Sequence, residues 1–101
     1  MKKFLYLYIG GPSPDNMTEA EVANEMKAWE SYMKNLGAKL VDFGAPLGER
    51  KVVGDGAPSK ATGYSIVKAA DLNAAIAMTK GHPQLAAGGA IEVFDAEPPG
   101  M

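Results

Sequence analysis

The chain has 101 residues, of which 47% are hydrophobic and 22% charged, and carries a net charge of −2. These values fit one globular domain, residues 1–101, large enough to bury a core without metal or disulfide staples. The absence of cysteine excludes disulfides, thiolate nucleophiles and zinc–thiolate sites, and no basic stripe interleaved with aromatics points to nucleic acid.

The chain opens on "MKKFLYLYIGGP". Its charged start resembles a signal peptide, but the apolar run Phe4 to Ile9 is shorter than an h-region and no small-residue cleavage site follows. It reads as a first strand of a cytoplasmic protein. No run approaches transmembrane length, so no membrane is expected. From Lys3 to Ile9 the residues alternate. Phe4, Tyr6 and Tyr8 face one way, and Leu5, Leu7 and Ile9 the other. Both faces are apolar, so the strand expects cover on both sides. The domain's own helices cover one side. The other, taken to be the face of Phe4, Tyr6 and Tyr8, is expected to meet a second copy of the chain.

After the breaker "GGPSPDN", Thr18 opens a helix. Glu21 completes a capping box and Met17 staples onto Val22. Val22, Met26, Trp29, Met33 and Leu36 form one apolar stripe. Glu30 and Lys34 stand in the favourable order for an i,i+4 pair, and Gly37 is the left-handed stop. Three short β-rich runs follow: Leu40 to Phe43, Lys51 to Val53, and Gly63 to Ala69. Asp71 caps a shorter helix with Leu72 and Ile76 inward and Ala75 and Thr79 as further inward candidates. Gly81 stops it, and Pro83 prevents continuation. A last strand, Ala90 to Asp95, leads into a Pro-rich tail.

The order strand, helix, two or three strands, helix, strand predicts an α+β domain. It is a ferredoxin-like split βαβ, with an antiparallel sheet covered on one face by two helices. The uncovered face, expected to carry Phe4, Tyr6, Tyr8, Tyr64 and Ile66, is an interface candidate.

These residues in this order resemble the YCII-related family, in its DGPF-type branch. The resemblance runs from "KKFLYLYIGG" through "AWESYMKNLGAKLVDFGAPL" and is clearest in "VVGDGAPSKATGYSIVKAADLNAAIAMTKGHPQLAAGGAIEV". There an Asp-Gly turn, a Gly-Tyr strand, an acidic helix cap, a residue-Pro stop and a closing Gly-x-Ile-Glu-Val strand follow one another. The branch's Asp-Gly-Pro-Phe stands here as Asp55-Gly56-Ala57-Pro58. The resemblance implies a ferredoxin-like fold paired sheet to sheet as a dimeric α/β barrel. It also implies, for some members, enzymes with a His-Asp pair. Their histidine lies near the start of the first helix, where this chain has none between Gly10 and Leu36. Their aspartate precedes the proline where this chain has His82, so the pair is not carried over.

His82, the one histidine, has two readings. It is an imidazolium favouring the negative end of the preceding helix, or a general base. Asp42 either points to water at a sheet edge or lines the cleft as carboxylate partner to His82. Asp55 reads as a turn residue and Asp71 as a cap. Tyr8 and Tyr64 either pack an interface or line a small ligand pocket. "GGPSP" lacks the Lys-Ser/Thr of a phosphate loop, and "GDGAPS" is no dinucleotide fingerprint. One histidine without cysteine makes a metal site unexpected, and no cofactor is expected. Two functions follow. One is a cofactor-independent acid–base enzyme, lyase or hydrolase in type, using His82 and Asp42 on a small organic molecule. The other is a non-catalytic ligand-binding or interaction module.

Overall fold

The computed structural model describes residues 1–97; the expected Pro-rich tail lies outside them. Four strands, β1 (Lys2–Ile9), β2 (Leu40–Asp42), β3 (Ala61–Ala69) and β4 (Ala90–Asp95), form one antiparallel sheet in the order β2-β3-β1-β4. Helix α1 (Glu19–Leu36) joins β1 to β2, while α2 (Leu72–Ala77) and the single turn α3 (Pro83–Ala86) join β3 to β4. In each half the two strands are separated by a strand of the other half. This interleaving is compatible with a ferredoxin-like split βαβ fold.

β1 is central, and its register sorts the residues by face. Phe4 lies between Val67 and Asp95, Tyr6 between Ser65 and Val93, and Tyr8 between Gly63 and Ile91. Phe4 and Tyr6 are fully buried and Tyr8 is 4% exposed. With Val67, Ala69 and Ala75 they form the core, packed by Trp29, Leu36, Leu40, Met78, Ile91 and Val93.

The expected orientation of β1 is therefore reversed. Phe4, Tyr6 and Tyr8 lie under the domain's own helices, not on an open face. The uncovered face carries Leu5 opposite Ile66 and Phe94, and Leu7 opposite Tyr64 and Glu92. Alternation alone could not choose between two apolar faces. Hydrogen bonding does: the Tyr6 hydroxyl donates to the Ala75 carbonyl at 2.5 Å and the Tyr8 hydroxyl to Ser65 at 2.8 Å. A buried phenol needs such partners, and Leu and Ile do not.

α1 begins as its sequence predicts. Thr18 accepts from the Glu21 amide while Glu21 accepts from the Thr18 amide, closing the capping box. Of its apolar stripe, Met33 is buried and Met26 is 59% exposed. In α2, Asp71 caps through the Ala74 amide. The buried residue is Ala75, and Leu72 and Ile76 are exposed. A small side chain at this contact lets α2 approach closely enough for Tyr6 to reach its backbone. Pro83 does more than end a helix: it occupies the first position of α3, where a missing N–H costs nothing.

The expected strand Lys51 to Val53 is not formed. Residues 43–60 are a long connection that meets β3 through one bridge, Pro46 to Gly63. Arg50 gathers it by donating to the carbonyls of Leu47, Gly48 and Ser59. These bonds serve local backbone carbonyls in place of a strand ladder. At its base, Gly44 has φ +82, and any Cβ there would collide with the Tyr64 carbonyl.

Gly54 also has positive φ, +87, but open space around it. Gly54→Ala should cost about 1 kcal/mol. Gly44→Ala should cost several times more, because strain and collision add. Urea midpoints of the two variants check this; equal midpoints would mean that the base of the loop is not packed against β3.

Candidate functional site

Gly81, with φ +79, turns the chain out of α2. His82 follows as the N-cap of α3. Its ring is driven inward to zero exposure among side chains from two elements. β1 supplies Tyr6 and Tyr8, and α1 supplies Trp29 and Tyr32. Tyr32 lies 4.2 Å from the imidazole by ring centroids, Trp29 edge-on at 4.8 Å and Tyr8 at 5.1 Å. The Tyr32 hydroxyl turns away and donates to the Met78 carbonyl.

The hydrogen bonds of His82 determine its tautomer. Nδ1 accepts from the Gln84 backbone N–H at 3.0 Å, so the ring proton is on Nε2. That N–H donates to the Tyr8 hydroxyl at 3.1 Å. Tyr8 donates to Ser65 Oγ at 2.8 Å, and Ser65 donates to the Phe43 carbonyl at 2.7 Å. A backbone N–H starts the series and a backbone carbonyl ends it. Neither can exchange its role, so every proton between them has one direction. Burial pushes the imidazole down to about 4, keeping it neutral near pH 7. Burial pushes Tyr8 up to about 12, against the pull of its bond to Ser65. Both groups are uncharged hydrogen-bonding partners in this state.

Next to this cluster is a cleft of about 760 Å³ between the first half of α1, the end of the sheet and the base of the 43–60 loop. Tyr8, Val22, Met26, Trp29, Phe43 and Leu47 give it apolar walls, and Glu25 and Glu30 line it on α1. The Trp29 indole N–H donates to Glu25 Oε1 at 3.1 Å. Gln84 closes one end. Its side-chain amide donates to the carbonyls of Ile9 and Gly10 at 3.1 and 3.2 Å. Gly89 packs so tightly on that amide that a Cβ there would overlap it. Among the described residues, no three His, Asp or Glu side chains converge where a metal ion could be held.

Of the four residues singled out from sequence, the structure unites His82 and Tyr8. Asp42 is exposed, and its Oδ1 accepts from the Gly44 amide at 2.9 Å. Both ring nitrogens of His82 are already engaged by Gln84 and Tyr8, so no His82–Asp42 hydrogen bond forms. The exposed helix-end imidazolium is not found either, because the ring is buried and caps the following turn. Tyr64 lines the cleft, but its pairing with Leu7 sets it on the opposite face of the sheet from Tyr8. Sequence reasoning missed Ser65, Tyr32 and Gln84. A signal existed for two of them. Ser65 is a polar residue in phase with Gly63 and Val67, and Tyr32 lies one helical turn beyond Trp29.

No family model matches this chain, and no curated protein matches it.

Burial of a neutral His82 makes stability depend on pH. The unfolded ring titrates near 6.5 and the folded ring at about 4. Because the folded value is the lower, the unfolded state takes up its proton first. Stability from this residue should be complete above about pH 6.5 and fall at up to about 1.4 kcal/mol per unit towards pH 4, then level off. Carboxylates titrate over part of this range, so the measurement is the difference from His82→Asn, in which the new side chain still accepts from the Gln84 amide. Urea midpoints from pH 4 to 8 should separate the two profiles; parallel profiles would show that water reaches the ring. In an NMR titration of the single imidazole, Asp42→Asn should leave the pKa unmoved.

Proposed function

We propose that this protein is a YCII-like cytoplasmic homodimer, a dimeric α/β barrel, that binds a small, largely apolar organic molecule in the α1–sheet cleft without transforming it. One observation carries this reading. The cleft has the size and the apolar, aromatic lining of a small-molecule site, while the adjacent imidazole, neutral near pH 7, has both nitrogens occupied by Gln84 and Tyr8. The family reading is supported by the strand order and by the roles of Asp71 as cap and Pro83 at a helix boundary. No helix among the described residues is long and apolar enough to cross a membrane.

Pairing through the sheet is supported by the uncovered face of Leu5, Leu7, Ile9, Tyr64, Ile66 and Phe94. The second reading is a cofactor-independent acid–base enzyme. It is favoured by Tyr8, whose ring lines the cleft while its hydroxyl is bonded to His82. In that reading Tyr8 would touch the substrate and His82 would hold its hydroxyl.

Two experiments test the proposal. N-phenyl-1-naphthylamine, a neutral fluorophore, should bind saturably and quench Trp29, the sole tryptophan. Met26→Gln should weaken that binding, and binding indifferent to the substitution would place the probe elsewhere. For assembly, Leu5→Glu should give a folded monomer in light scattering, because a charge would be buried between sheets. Tyr6→Glu should instead unfold the chain. An unperturbed Leu5→Glu dimer would exclude the sheet face.

A further inference from the structure

The cleft has a charge as well as a shape. Two of its lining residues, Glu25 and Glu30, are carboxylates, and no lysine or arginine among the described residues lines it. Among the described residues, neither glutamate is joined to a basic side chain; the ion pair found there is Lys2–Asp95, across the edge of the sheet. Glu25 is also held in place. The Trp29 indole N–H occupies Oε1, and a carboxylate retains further lone pairs, including those of Oε2, for a second donor. The same indole is part of the cleft wall, with Tyr8 edge-on to it at a centroid distance of 4.9 Å. Electron-rich aromatic faces beside an oriented carboxylate attract a cation that is itself apolar. An anion would meet two like charges and no compensating donor of positive charge.

We infer that the cleft selects an organic cation: a primary or substituted ammonium on an aromatic or branched hydrocarbon body. The body fills the space between Val22, Met26, Phe43 and Leu47. The ammonium sits at the α1 side, donating to Glu25 and lying near Glu30. This rests on the cleft being the ligand site, and it adds what that reading leaves open, the charge of the occupant.

Three naphthalene probes of similar bulk separate the two ideas: 2-(1-naphthyl)ethylammonium, neutral 1-ethylnaphthalene and 1-naphthaleneacetate. Calorimetry gives the affinities, and the single indole N–H resonance of Trp29 reports whether each probe occupies the cleft. The ammonium is expected to bind at least about tenfold more tightly than the carboxylate, equivalent to about 1.4 kcal/mol, with the neutral probe between them. The ratio should narrow as salt is raised. It should also narrow in the double variant Glu25→Gln/Glu30→Gln, where the amide oxygen introduced at position 25 can still accept from Trp29. Equal affinities for all three probes, or tightest binding of the carboxylate, would overturn the inference and leave the cleft as a ligand site. Binding of none of them, with the Trp29 resonance unmoved, would overturn both.

Discussion

The fold is organised around a neutral imidazole that has no access to water. His82 is held by a backbone N–H on one side and a phenol on the other; the phenol donates a hydrogen bond to a serine, and the serine donates to a backbone carbonyl. Each member is buried or faces a buried partner, and removing any one leaves a polar group unpaired at a cost of about 1–3 kcal/mol. The series ties together four parts of the chain that are distant in sequence: the turn after α2, the central strand, its neighbour β3, and the start of the long loop. Hydrophobic packing brings these parts close. The hydrogen bonds give them a single registration.

The same arrangement explains why a cleft exists at all. α2 is short and turns the small Ala75 inward, so it sits directly on the sheet, and the single turn α3 holds the end of β1 through Gln84. α1 is long, and only its second half, around Met33 and Leu36, meets the core. Its first half, capped by Thr18 and Glu21, faces the cleft through Val22, Glu25 and Met26. The base of the 43–60 loop forms the facing wall, held against β3 at Gly44. A helix that closes on the sheet along only half its length leaves lined space, and Trp29 stands where packed core passes into open cleft.

Element order, the capping box, the Asp71 cap and the last strand were legible because each depends on neighbours within four residues. The facing of β1 was not. Both of its faces are apolar, and the deciding partners, Ser65 and the Ala75 carbonyl, lie almost 60 or 70 residues away in sequence. The role of His82 was hidden for a related reason. Its position after Gly81 resembles a solvated helix end, and only the tertiary fold shows that the next residues start a new turn for it to cap. Lys51 to Val53 has strand composition, but Arg50 satisfies nearby carbonyls and no ladder forms, a case of tertiary context overriding propensity.

Gln84 and Gly89 have a consequence beyond their own contact. The amide of one fills the volume that a side chain on the other would need, and that amide also secures the carbonyls where β1 ends. A side chain at 89 would therefore displace the Gln84 amide from those carbonyls. In diverging sequences that keep this fold, an alanine or serine at 89 should be found more often with a shorter residue at 84, and such a pair would have to find another way of closing the end of the first strand. Covariation between these two sites would be the historical trace of a steric constraint.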